Sequence, residues 1–234
     1  MRLNNSFIGH IETGLTLPFS GSDNWRNLKR KLAEEDQNWY YRTVDIEYNY
    51  NKYGHRCVEP DKLNQDDYIL FTGCSHTEGI GLELEKTYPY LLSKKLNCDY
   101  YNLSLGGSGF DVLIHNLTIW INTHKKPKLL IVQLPNWRRF AFLRPTPTNN
   151  VTDMPVELCG SWTGDKDITK FLVDGDNLNY FKSIRDFTKL QIDSFNLPTI
   201  YVAPAYGESI PDYCIEFPEL DRARDSHSGI KSNE

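Results

Sequence analysis

From Tyr68 onward, short apolar runs that stop at glycine or proline take turns with stretches of helical spacing, and few architectures satisfy that alternation. Tyr68-Ile-Leu-Phe-Thr72 ends at Gly73 and has the length of a buried strand rather than of a helix. Tyr88, Leu91, Leu92 and Lys95 recur three or four apart, which predicts a helix over 88–96. Tyr100–Leu105 reads as a second strand, ending at Gly106-Gly107. Val112, Leu113, Leu117, Trp120 and Ile121 fall on one helical stripe within 110–122. Lys128–Leu134 is the strongest strand signal and stops at Pro135. Asn177–Phe195 reads as an amphipathic helix, Pro198–Ala203 as a fourth strand and Tyr213–Phe217 as a short fifth. Strands alternating with helices predict an α/β domain built on a parallel sheet.

Upstream, residues 1–65 are polar and rich in Asn, Asp and Tyr, with one charged helix expected over Trp25–Asn38. They are expected to form an N-terminal extension packed on the core, with 66–234 as the main domain. Residues 141–175, rich in Pro, Thr, Asn, Gly and Asp, read as a long irregular segment that shapes a pocket. Of the 234 residues, 39% are hydrophobic and 24% charged, enough apolar matter for a real core and too much for a disordered tail. A net charge of -5 argues against nucleic acid as a partner, since phosphate contacts want a basic face. No apolar run approaches the roughly 18 residues of a membrane helix, and Met1-Arg-Leu-Asn-Asn5 lacks the apolar core of a leader. A cytoplasmic location is the expectation. Five cysteines without Cys-x-x-Cys spacing argue against both a disulfide scaffold and a zinc site. No cofactor and no metal are expected.

In parallel sheets, ligands sit beyond the carboxyl ends of the strands. There this chain carries Gly73-Cys-Ser-His-Thr-Glu-Gly79, Gly106-Gly-Ser-Gly109, Pro135-Asn-Trp-Arg-Arg139 and Asp221-Arg-Ala-Arg-Asp-Ser-His227. Ser75, just past a buried strand and flanked by glycines, is the candidate nucleophile; a hydroxyl in that role needs a base. His227 supplies the base and Asp225, two residues upstream, the carboxylate that orients it. Oxyanion donors are sought in the backbone N–H groups of Ser75 and Gly107 and the side-chain amide of Asn136. Cys74 is a rival nucleophile by thiol reactivity, but its side chain should point back toward the sheet if Ser75 points out. His76 and Arg138 are candidate substrate contacts. Arg139 also offers a cation for an acidic group, against the plainer reading of both arginines as a solvated face. Trp39-Tyr-Tyr41 with Tyr48 and Tyr50 form either a sugar-stacking surface or the cover of a sheet or subunit contact.

The order Ser, Gly, Asn, Asp/His across successive strand ends resembles the SGNH (GDSL-like) hydrolases over about residues 45–230. Gly73-Cys-Ser-His-Thr-Glu-Gly-Ile-Gly81 is similar to the family's first block, with Ser75 on its nucleophile and Cys74 where the family has Asp. Asn102-Leu-Ser-Leu-Gly-Gly107 is similar to the second, with Gly107 as the oxyanion donor. Leu134-Pro-Asn-Trp137 keeps Asn136 alone from the third. In the last block the family's Asp position is Arg224, and either Asp225 or Asp221 would orient His227. Asn49-Tyr-Asn-Lys-Tyr-Gly-His-Arg56 resembles the family segment leading to the nucleophile strand.

The resemblance implies a three-layer α/β/α sandwich of flavodoxin-like type. It also implies a metal-independent serine esterase acting on small-molecule or carbohydrate esters. The altered third and fourth blocks favour a second reading, a binding or structural module on the same fold. Acyl transfer to a sugar by the same residues is a third. Glu234 follows His227 by seven residues, where the resembled fold continues into a closing helix. A sheet face bare at that point would be covered by a partner subunit, making a homo-oligomer an expectation.

Overall fold

The computed structural model describes residues 2–4, 7–143, 155–174, 177–204, 210–217, 224 and 227. β1 (Arg2–Asn4) and β2 (Phe7–Gly9) form an antiparallel pair. β3 (Thr16–Leu17), α1 (Trp25–Glu34) and β4 (Tyr48–Asn49) follow, with β3 paired antiparallel to β4. Asn24 caps α1 by accepting the Asn27 N–H at 3.0 Å. The helix stops at Glu34, four residues short of the expected Asn38. Arg42 takes the carbonyls of Leu32 and Glu35, so the last turn is satisfied from outside the helix.

The main sheet contains β5 (Tyr68–Thr72), β6 (Asp99–Asn102), β7 (Leu129–Gln133), β10 (Thr199–Pro204) and β11 (Cys214–Phe217). Between them run α2 (Ser75–Glu78), α3 (Tyr88–Leu96), α4 (Phe110–Thr123), β8 (Phe140–Leu143), β9 (Val156–Cys159), α5 (Lys166–Val173) and α6 (Leu178–Ser194). Every pairing in the sheet is parallel, in the order β11-β10-β7-β5-β6. Counted along the chain this is the flavodoxin-like order, and its switch point lies between β5 and β7.

The two faces of the sheet follow the period of two. Tyr68, Leu70, Leu130, Val132 and Tyr101 face Leu113, Leu117 and Trp120 of α4 and Ile192 of α6. Ile69, Phe71, Ile131 and Tyr100 face Tyr88 and Leu92 of α3. Two helices on one face and one on the other make the three layers. Each such side chain taken fully from water contributes roughly 1.5–3 kcal/mol. Trp120 anchors the larger core, stacked on Tyr101 at 3.9 Å and donating from Nε1 to Tyr68 Oη at 3.1 Å. On the α3 side, Ile200 and Ile215 share register with Ile131 and Val202, yet are 37% and 61% exposed.

The N-terminal residues are part of this packing. Phe7 joins the main core, and Ile8 packs on Leu105 and Val112 while Asn116 bonds both of its backbone groups at 2.9 and 2.8 Å. Tyr41, Ile46, Tyr48 and Tyr50 enclose Ile80 and Leu82, so these tyrosines are core rather than an exposed platform.

The segment 141–175 is not irregular throughout. β8 and β9 pair antiparallel, and Ala141, Val156 and Leu158 pack on Ile8, Leu105 and Val112. Asp165 caps α5 by accepting the N–H groups of Asp167 and Ile168 at 2.9 and 3.1 Å. Strands this short declare themselves only through what they pack against. None of the five cysteines is in a disulfide. Among the described residues no helix is long and apolar enough to cross a membrane, and no cluster of His, Cys, Asp and Glu could hold a metal.

Candidate active site

β5 delivers the chain to Gly73 at the switch point. A Cβ there would lie 2.6 Å from Thr77 Oγ1 and 2.8 Å from the Gln133 side chain, so only glycine fits. Cys74 then turns inward: its N–H and Sγ lie 2.9 and 3.2 Å from Gln133 Oε1. Ser75 opens the single turn α2, so its N–H has no acceptor within that turn. Gly79 closes the turn at φ 81°, in the left-handed region.

From the loop after β6, Ser108 Oγ donates to the Gly73 carbonyl at 3.1 Å and fixes the second glycine-rich loop against the first. Gly107 sits there at φ 81°. Gly106 donates its N–H to the carboxylate of Glu78, which is 1% exposed. The same carboxylate faces His10 Nε2 at 2.8 Å and accepts from Tyr50 Oη at 3.0 Å. Burial alone would raise the Glu78 pKa, but the charge and hydrogen bond of His10, the Gly106 N–H and Arg56 outweigh it and hold the carboxyl below its usual value. Tyr50 is pushed up by burial first and then by the Glu78 charge, so it stays protonated as a donor.

His227 brings its Nε2 to 2.7 Å from Ser75 Oγ, across 152 positions of sequence. That separation lets the serine O–H donate to the imidazole. Arg224 anchors the same stretch. Its Nε and Nη2 donate to the two carboxylate oxygens of Asp23 at 2.8 and 2.6 Å, and Nη2 also reaches the Pro18 carbonyl at 2.8 Å. Tyr48 Oη donates to the same carboxylate at 2.6 Å. Asp225 and Asp221 lie outside the described residues.

Ser75 and His227 open into a cavity of about 440 Å³ lined also by Gly106, Gly107, Ile80, Arg139, Leu158 and Trp162. Of the residues singled out from the sequence, Ser75, His227 and Gly107 are brought together in this lining. Three other candidates are not in the lining. Asn136 Oδ1 accepts the Arg138 N–H at 2.9 Å in a local turn. His76 is buried with its ring edge-on to His227 at 4.7 Å. Arg138 lies over Trp137 at 4.7 Å, and the arginine at the cavity is its neighbour Arg139, over Trp162 at 5.1 Å. The sequence reading passed over Trp162, Leu158 and the Glu78–His10 pair. Trp162 and Leu158 come from a segment whose polar composition masked them, and nothing local marks Glu78 as the partner of a residue 68 positions away.

No protein-family model matches this chain, and no curated protein matches it significantly. Among solved structures it is similar to the acetyl xylan esterase Est2A of the rumen bacterium Butyrivibrio proteoclasticus, at 16% identity and a TM-score of 0.45, over 71% of this chain and 60% of that one. It is also similar to an active-site mutant of a family two carbohydrate esterase from Clostridium thermocellum, at 11% identity and TM-score 0.44, covering 74% and 61%. A third similar structure is a carbohydrate esterase whose active site displays divergent catalytic and non-catalytic binding functions, at 12% identity and TM-score 0.44, covering 82% and 78%. The chain spans about three fifths of the length of the first two.

Proposed function

We propose that this chain is a serine esterase that cleaves an oxygen ester, of the acyl or O-acetyl kind on a carbohydrate, through an acyl-enzyme. The observation that carries the reading is the 2.7 Å separation of Ser75 Oγ and His227 Nε2 at the carboxyl edge of the sheet. Ser75 Oγ attacks the ester carbonyl carbon while His227 Nε2 takes the hydroxyl proton. The carbonyl electron pair moves to oxygen, and the N–H groups of Ser75 and Gly107 stabilise the oxyanion. Collapse expels the alcohol oxygen, which takes the proton back from His227. Water then attacks the acyl-Ser75 by the same route, leaving the acid and free enzyme. Asp225, or Asp221, orients the imidazole in this scheme.

Cys74 supports the assignment by exclusion, since its sulfur is turned onto Gln133. A cavity of about 440 Å³ suits a small ester. A fluorophosphonate probe tests the reading. Mass spectrometry is expected to find one adduct, on Ser75. An adduct on Cys74, or no adduct on folded protein, would overturn it.

A further inference from the structure

Among the described residues, the wall of the cavity beside Ser75 holds one arginine. Arg139 is in its described lining and no carboxylate is. The guanidinium lies over the Trp162 ring, with Cζ 5.1 Å from the centroid. Its Nη1 is sealed from solvent and has no hydrogen-bond partner among the described residues. A guanidinium is always charged and brings five N–H donors in a planar fork. The face of an aromatic ring balances that charge only partly, because a ring offers no lone pair. Natural interiors rarely leave such a donor unmade. An atom closed to solvent is closed to a ligand as well, so an anion in the cavity would meet the other N–H groups of this side chain, which stands at the wall of a cavity shared with Ser75 and His227.

We infer that the cavity takes an ester whose carbohydrate part carries a carboxylate, held by Arg139 while the ester carbonyl lies at Ser75. The inference rests on the esterase reading above. A carboxylate fits the fork because its two oxygens can accept parallel N–H bonds. Trp162 keeps the guanidinium plane fixed, so less freedom is lost when the anion arrives. Arg138, one residue earlier, cannot substitute, since it lies over Trp137 and outside the lining.

The test compares O-acetylated galacturonic acid oligosaccharides with the same oligosaccharides after methyl esterification of their carboxyls. Expected is a kcat/KM at least about tenfold higher on the free acids, the usual scale of one charge-assisted contact. In Arg139→Gln the preference disappears, chiefly through KM, and Arg139→Lys restores part of it. Equal kcat/KM on both substrates, or a preference that survives Arg139→Gln, overturns the inference and leaves the esterase reading standing. Should the wild type hydrolyse neither p-nitrophenyl acetate nor the oligosaccharides, the esterase reading fails. Binding then decides the anion site. Tryptophan fluorescence titrated with unacetylated galacturonic acid trisaccharide is expected to saturate, with at least about tenfold weaker binding in Arg139→Gln. The same titration applies if only p-nitrophenyl acetate is turned over. Identical curves for the two proteins would overturn the site.

Discussion

Arg224 reaches back 201 positions to grip both carboxylate oxygens of Asp23, three residues before His227 meets Ser75. Both side chains are nearly inaccessible, at 4% and 0%. Desolvating two charges is costly, and the fork geometry, the Pro18 carbonyl and the Tyr48 hydroxyl offset it. Arg224 stands three positions before His227, so this pair ties the chain down close to that imidazole. Asp23→Ala leaves a buried guanidinium unpaired and is expected to cost about 3–5 kcal/mol in urea unfolding. Asp23→Asn keeps the shape and part of the bonding. In that milder variant kcat for p-nitrophenyl acetate is expected to fall about tenfold with KM little changed, since what is lost is the aim of His227. A KM effect without a kcat effect would count against that role.

Ser75→Ala is expected to remove turnover of p-nitrophenyl acetate down to the background that cavity and donors supply, a loss of at least about 10³-fold. The melting temperature should stay close to that of the wild type, because among the described residues Ser75 Oγ bonds only to His227 and to the distant Cys74 sulfur at 4.0 Å. Cys74→Ala is the contrasting variant. Its sulfur packs on Gln133, so activity should fall no more than a few-fold while urea stability drops by roughly 1 kcal/mol.

The parts of this site that could be read from sequence are those written locally. A five-residue apolar run closed by glycine gives β5 and puts Ser75 at a strand end, and the last strand end gives His227 in the same way. The parallel-sheet rule then brings the two together without any knowledge of the turns between. Other features depend on which way neighbouring side chains turn in a loop. Arg138 and Arg139 are equivalent as letters, and only the backbone after Pro135 sends one to Trp137 and the other to the cavity. Asn136 fails for the same reason, its oxygen being taken by the backbone two residues on. The buried pairs Glu78–His10 and Arg224–Asp23 have no local signature, because each partner reads as an ordinary surface charge until the fold removes its water.

His55 makes stability depend on acid. It is buried, with Nδ1 3.2 Å from Tyr101 Oη and Nε2 without a partner among the described residues, and burial, with His10 nearby, drives its pKa down to about 3. The unfolded chain binds a proton at His55 below about pH 6.5 that the folded chain refuses until about pH 3. Stability is therefore expected to fall as pH drops through that window, by roughly 1.4 kcal/mol per pH unit from this group alone. Urea midpoints measured between pH 7 and 4.5 check it. His55→Leu should flatten the profile over that range, and an unchanged slope would rule His55 out as the cause.

Glu78 ties down the loop that carries Gly106 and Gly107. The Gly106 N–H is committed to its carboxylate, and Gly107, whose N–H the proposed mechanism uses, lines the cavity beside it. Glu78→Gln replaces an acceptor of three donors by a group that is half donor, so at least one of His10, Tyr50 and Gly106 loses its bond. A cost of about 1–3 kcal/mol is expected in urea unfolding. Because the folded carboxyl titrates below its unfolded value, the wild type holds this contribution above about pH 4.3 and loses it only as pH falls through the lower folded value. The difference in stability between wild type and Glu78→Gln should accordingly be constant from neutral pH down to about 4.3 and shrink below it. In the same variant kcat should drop about tenfold as the loop relaxes, while fluorophosphonate still labels Ser75 but more slowly. Labelling at the wild-type rate would mean that the Gly107 donor is aimed by something other than Glu78.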